Sequence, residues 1–147
     1  MHYAVATGTD DGHLKQFYVT QLKYLLAKDE QQVATSLLMF PQGLHDFDEF
    51  LDVLAWFEDL LEQVELDQHI QLASFHPHYQ FHGVPAGDLS HFTNRAPYPT
   101  IHLIRQAQMS KVLERIEDPQ QIYMDNIACL EELGRDRVEA MCPWGKN

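Results

Sequence analysis

No lysine or arginine occurs between Lys28 and Arg95, although the chain has 147 residues. Overall, 10 Lys+Arg face 22 Asp+Glu, a formal charge of −12, so neither a nucleic acid nor an anionic membrane surface is an expected partner. Cysteine is scarce: Cys129 and Cys142 come late and have no metal-ligand or disulfide-framework spacing. No apolar run approaches the roughly 20 residues that span a bilayer. The opening MHYAVATGTDDG has no charged-then-apolar leader pattern. Repeats, low-complexity tracts and linkers are absent too. These absences point to a cytoplasmic protein with one domain over 1–147. A hydrophobic share of 45% with 11% aromatic excludes intrinsic disorder. A chain of this length buries roughly 70% of its unfolded surface, so no metal or disulfide staple is required.

The charge is unevenly spread. Residues 1–70 hold 3 basic and 13 acidic residues, whereas residues 71–113 hold 3 basic residues against Asp88 alone, with five of the nine histidines. A locally cationic, histidine-rich stretch in an acidic protein can attract a small anion; compositional fluctuation explains it equally well.

Hydrophobic spacing organises the chain. The opening His2–Thr7 is short and β-leaning and breaks at Gly8-Thr9-Asp10-Asp11-Gly12, which offers turn residues and a helix cap. Leu14, Phe17, Tyr18, Leu22, Leu25 and Leu26 recur at helical spacing to about Lys28. Val33–Phe40 is a continuous apolar run of strand length, suited to a strand covered on both faces. Over 46–66, Phe47, Phe50, Leu51, Leu54, Phe57, Leu61 and Val64 form one helical stripe, and Asp46 with Glu49 has capping-box spacing. A third strand-like run, Ile70–His76, closes at Pro77.

Strand, helix, strand, helix, strand at these lengths predicts an α/β domain of three or four mainly parallel strands with crossover helices. Ligands of open α/β sheets lie beyond the carboxyl ends of the strands, which here would share one side of the domain. The 23 residues of 77–99 have no periodicity but carry Tyr79, Phe81, Phe92 and Tyr98, so an ordered loop over those strand ends is expected. Thr100–Arg105 is a further candidate strand, expected at an edge. Ser110 would cap a short helix to Ile116. Asp118-Pro119 starts another that stops at Gly134, with Cys129 on its apolar face as a core residue.

Within this frame His76 is the strongest candidate. At a strand's carboxyl end and before proline, its imidazole would face the mouth of the sheet, where it could act as base, acid or nucleophile. A satisfied structural histidine is the other reading. Arg95, between prolines in the loop, offers a two-pronged fork for carboxylate or phosphate, or an intramolecular ion pair. His102 and Arg105 would point to opposite faces of a strand. His76, His78, His82 and Asp88 complete no compact zinc spacing, so no metal is expected. No phosphate loop and no nucleophile elbow is present.

Two blocks carry a resemblance. Ser74-Phe75-His76-Pro77-His78-Tyr79-Gln80-Phe81-His82-Gly83 and Thr93-Asn94-Arg95-Ala96-Pro97-Tyr98-Pro99-Thr100-Ile101-His102-Leu103 resemble the uncharacterised bacterial family named domain of unknown function 1415. Its pattern reads Ser-Phe-His-Pro-x-Tyr-x-Phe-x-Gly, then Thr-Asn-Arg-x-Pro-Tyr-Pro-x-x-His-Leu. The resemblance implies no activity, but it retains His76, Tyr79, Gly83, Asn94, Arg95, Tyr98 and His102 and leaves His78 and His82 at variable positions. The family pattern begins further upstream with a segment containing Leu-Cys-Pro-Phe, which this sequence lacks. The resemblance therefore implies a missing N-terminal segment, whose cysteine either belongs to the site or only packs.

The expectation is a small-molecule hydrolase or transferase for an anionic substrate. His76, His102 and Tyr79 would be catalytic; Arg95, Asn94 and Tyr98 would bind the anion; no cofactor would be needed. The alternatives are a non-catalytic anion- or peptide-binding module and a purely structural motif in which His76 and Arg95 stitch the loop down.

Overall fold

The computed structural model describes residues 1–114, 116 and 118–145. Four strands, β1 (His2–Val5), β2 (Thr35–Met39), β3 (Ile70–Phe75) and β4 (Thr100–Arg105), form one sheet in the order β1-β2-β4-β3. Between the first three run α1 (Asp11–Ala27) and α2 (Phe47–Gln63). After β4 come α3 (Gln106–Leu113), α4 (Pro119–Leu133) and α5 (Arg135–Met141). The fold is α/β as expected, but the sheet is not mainly parallel. Only β1 and β2 pair in parallel, because β4 is inserted antiparallel between β2 and β3. Loop 77–99 returns the chain to the end of the sheet where β3 left it, so β4 must run backwards. Nor is β4 an edge strand: Ile101 and Leu103 are fully buried and need partners on both sides.

Since β4 is antiparallel to both neighbours, β1, β2 and β3 still point the same way. Val5, Met39, Phe75 and the first residue of β4, Thr100, line up at one end. That end is closed by Phe40, whose N–H donates to Pro99 O at 2.9 Å.

α1 and α2 cover the same face of the sheet. Ala4, Ser36, Leu38, Ile101 and Leu103 are buried there with Leu14, Tyr18, Leu22 and Leu25 of α1 and Phe50, Phe57 and Leu61 of α2. The stripe read for α2 is narrower in the structure, for Leu51 and Val64 are exposed at its margin. Tyr18 lies flat on Phe57, with centroids 4.0 Å apart, and its hydroxyl donates to Phe57 O at 3.1 Å, joining the two helices. On the opposite face Leu37 and Met39 stay half-buried, so β2 is not covered on both sides. Its apolar run is sustained by Thr35–Met39 being flanked by strands rather than by a second helical layer.

The helix starts follow the sequence closely. Asp10 and Asp46 accept backbone bonds from His13 and Glu49 at 3.1 and 3.0 Å, and Asp118 accepts from Gln120 at 3.0 Å. α4 ends at Gly134, which has a φ of 76° that only glycine adopts without strain. α3 starts earlier than expected, at Gln106, whose N–H donates to His69 O; Ser110 therefore lies inside it. Cys129 is exposed rather than in the core, because α4 docks on the loop and not on the sheet.

Arg105 has a role that spacing could not show. Its guanidinium donates to Leu25 O and Lys28 O, both at 2.7 Å, and to Val33 O at 3.2–3.3 Å. It thereby ties the last carbonyls of α1, where Leu25 O also accepts the Lys28 N–H at 3.2 Å, to the approach to β2, at the negative end of the helix dipole. Arg105→Met should cost about 2–4 kcal/mol in urea unfolding, because those half-buried carbonyls lose a charged donor. A loss below about 0.5 kcal/mol would show that water replaces the guanidinium.

Candidate functional site

The loop between β3 and β4 is held down by two imidazoles. His76 is fully buried, contrary to the expectation that it faces the mouth. One residue beyond the strand, it turns under α2, with ring centroids 5.2 Å from Phe47 and 5.1 Å from Phe50. Its Nε2 lies 3.0 Å from Leu44 O, and its Nδ1 accepts the His78 N–H at 3.0 Å. A nitrogen that accepts an N–H carries no proton, so the geometry requires the neutral Nε2–H tautomer donating to Leu44. Leu44 itself has φ 59°, a left-handed conformation that costs a leucine about 1–3 kcal/mol. The conformation aims its carbonyl at His76. Burial lowers the imidazole pKa, the Leu44 bond partly opposes this, and His78 adds to the lowering.

His91 repeats the device. It is fully buried in a short 3₁₀ helix, Leu89–Asn94, where its Nδ1 accepts the Phe81 N–H at 3.1 Å and its Nε2 donates to Pro85 O at 2.8 Å. Sequence reading missed it. The available signal was Asp88, which caps the 3₁₀ helix by accepting the Ser90 N–H at 2.8 Å; those bonds from Ser90 hold its carboxyl below the usual range.

Asn94 and Tyr79 complete the stitching. Asn94 O accepts the His76 N–H at 3.2 Å, its side-chain amide donates to Ser74 O at 3.2 Å, and its Oδ1 receives the Thr93 hydroxyl. The Tyr79 N–H donates to His76 O at 3.1 Å, and its ring packs between Phe47 and Phe81. Tyr79 O accepts Arg95 Nε at 3.4 Å. The Arg95 guanidinium lies 4.4 Å above the Phe92 ring, a cation–π arrangement. Its pKa is lowered first by burial and next by the neighbouring Arg135, with Glu139 opposing. Tyr98 is about half exposed, and its carbonyl accepts the Thr100 hydroxyl at 2.9 Å.

His76, Tyr79, Asn94 and Arg95 are thus brought into one network, whereas His102 is not. His102 sits in the middle of β4, opposite Leu37 and Ala73, between the two buried residues Ile101 and Leu103. Alternation puts it on the face away from α2 and from His76. It is bonded to the Thr35 hydroxyl, which itself donates to Leu103 O at 2.6 Å; Thr35 therefore accepts the Nε2–H of His102. The expected convergence of His76, Arg95 and His102 fails because the sheet stands between them. His78 and His82 are exposed. Among the described residues no group of three or more His, Cys, Asp or Glu side chains could hold a metal ion. No helix among them is long and apolar enough to cross a membrane.

A family model described as "Protein of unknown function (DUF1415)" matches residues 1–140, and the chain belongs to that family. Comparison with curated proteins and with solved structures gives no match.

The neutral imidazoles make stability depend on pH. Burial lowers the folded-state pKa of both His76 and His102 below the ordinary 6.5. As pH falls below that value, the unfolded chain takes up protons that the folded chain refuses. Their contribution is fully present above about pH 6.5 and is lost as pH falls below it through the lowered folded-state values, with up to about two protons bound on unfolding. Urea midpoints across this window should fall, and fall less in His102→Gln. A flat or rising profile would contradict the assignment.

Proposed function

We propose that this protein is a non-catalytic binding module that holds a small phosphate- or carboxylate-bearing anion on the surface of loop 77–99. Arg95 is the charged anchor, and Tyr98 and Asn94 flank it. One observation carries the choice of binding over chemistry: both ring nitrogens of His76 are bonded to main-chain groups, so neither is left to move a proton. Tyr79 is engaged in packing and backbone bonds at the same place. The hydrolase or transferase reading, with His76, His102 and Tyr79 as catalytic residues, loses its shared centre when His102 lies across the sheet.

Binding of an anion is supported by the local charge. Residues 71–113 carry Arg95, Arg105 and Lys111 against Asp88 alone in a chain of net charge −12. Arg105 is committed to the end of α1; Arg95, half-buried above Phe92 with its Nε on Tyr79 O, is the arginine within the loop itself. The stacked, rigid loop sets the guanidinium in place before a ligand arrives, which reduces the entropy lost on binding.

Thermal melts with inorganic phosphate or citrate test this. The parent should gain melting temperature with ligand concentration as mass action requires. Arg95→Ala should lose most of that gain, and Arg95→Lys should regain only part, because an ammonium cannot make a planar two-pronged contact. A parent that gains nothing from either anion, or an Arg95→Ala variant that gains as much as the parent, would refute the proposal. A large drop in melting temperature without any ligand-dependent difference would instead mark Arg95 as a structural stitch.

A further inference from the structure

The long loop has a closed neck. The His76 N–H donates to Asn94 O, and the Asn94 side-chain amide donates to Ser74 O, both at 3.2 Å. These bonds join groups that do not titrate, and they hold the two ends of segment 77–93 beside each other at the end of β3. A surface segment whose ends meet in this way can open without disturbing the elements it joins.

Inside the neck, two fastenings are main-chain N–H groups that end on imidazole nitrogens. The His78 N–H meets His76 Nδ1 at 3.0 Å, and the Phe81 N–H meets His91 Nδ1 at 3.1 Å. Each ring gives its other nitrogen to a carbonyl, Leu44 O for His76 and Pro85 O for His91. An imidazolium donates from both nitrogens and accepts at neither. A proton on either ring therefore sets two N–H groups against each other, at a side chain that is fully buried.

The sheet has no such fastening. His102 donates its Nε2–H to the Thr35 hydroxyl, a bond that a charged ring still makes. Leu22, Leu25, Leu38, Phe57, Ile101 and Leu103, between the sheet and its helices, do not titrate.

The surroundings of the two loop rings differ in charge. His76 is faced by His45 and Asp46 from the β2–α2 connection and by His78 from the loop, while α2 presents Phe47 and Phe50. Burial is the largest influence against a charged His76, and His78 and His45 add to it; Asp46 and the Leu44 carbonyl oppose them. Near His91 stand Asp88, in electrostatic contact with the ring, and Arg135, which donates to Gly87 O and pairs with Glu139. α4 brings Asn126, the Cys129 thiol and Leu130 to Thr93 of the 3₁₀ helix, and Tyr123 to Phe81.

We infer that segment 77–93 is an acid-released loop: protonation of His76 and His91 frees it beyond the neck while the four-stranded sheet stays folded. The closed segment holds both rings in the neutral form that accepts an N–H, whereas the open one takes up protons at the ordinary histidine value near 6.5. The open fraction is therefore small above about pH 6.5 and grows as pH falls below it. Each proton taken up raises the opening constant roughly tenfold per pH unit, and two raise it up to about a hundredfold. Opening uncovers Phe47 and Phe50, against which the His76 ring now packs. The device stands whether or not Arg95 holds an anion.

Amide hydrogen exchange of the full chain at about pH 7.5 and pH 5.5, corrected for the intrinsic rate at each pH, tests it. Protection at the His78 and Phe81 amides should fall at least about tenfold at the lower pH. That exchange should be insensitive to dilute urea, because local opening exposes little surface, while β2 and β4 stay protected and exchange faster as urea is added. His91→Asn keeps an acceptor for the Phe81 N–H that acid does not remove, so the fall at Phe81 should shrink to that of at most one proton, about tenfold per pH unit. His102→Gln should leave the response of the loop unchanged. Loop amides equally protected at both pH values, or loop amides that exchange only together with the strands in a urea-dependent step, would overturn the inference. So would a His91→Asn chain with the full parental fall; if that variant does not fold, the comparison of loop with strands in the parent decides.

Discussion

The whole end of the domain beyond the strands depends on one buried imidazole with two main-chain partners. His76 ties the β2–α2 connection, through Leu44, to the first residues of the long loop, through His78. Around it Phe47 and Phe50 close the apolar side, and Asn94 binds the backbone before and at His76 from the far end of the loop. An apolar replacement of similar volume would fill the space yet leave the buried Leu44 carbonyl unpaired, worth about 1–3 kcal/mol, and a part-buried N–H without its acceptor. This is why a histidine rather than a leucine occupies the end of β3. It also explains how Leu44 is held in a left-handed conformation, because the bond that its carbonyl makes offsets the strain.

With both loop ends fixed, the middle needs only a second fastening, which His91 provides by joining Phe81 to Pro85. α4 then lies on the loop rather than on the sheet, with Tyr123 at 6.2 Å from Phe81. The loop is therefore a layer in its own right. Tyr98 is half exposed on it, while His76, His91 and Asn94 are spent on holding it down.

Much of this was legible in the sequence. The caps Asp10, Asp46 and Asp118, the stop at Gly134 and the apolar stripes of α1 and α2 are local signals, and the elements follow them within a few residues. Strand order was not legible, because an antiparallel β4 between β2 and β3 is a non-local choice that hydrophobic spacing does not encode. The same limit applies to side chains. Histidine at a strand end reads alike whether its ring meets solvent or a carbonyl 32 residues earlier. Arg105 looked like part of a cationic patch until the end of α1 lay beside it. The return of loop 77–99 to the strand ends made a shared site for His76 and His102 the expectation, but only pairing register shows that the two occupy opposite faces.

The account stands on the tautomer of two rings. Long-range proton–nitrogen correlation spectra of the imidazoles at neutral pH read it directly. His76 and His91 should both appear neutral and protonated at Nε2, with Nδ1 shifted as a hydrogen-bond acceptor. A charged imidazolium at His76, or a proton on its Nδ1, would contradict the account, because neither form can accept the His78 N–H.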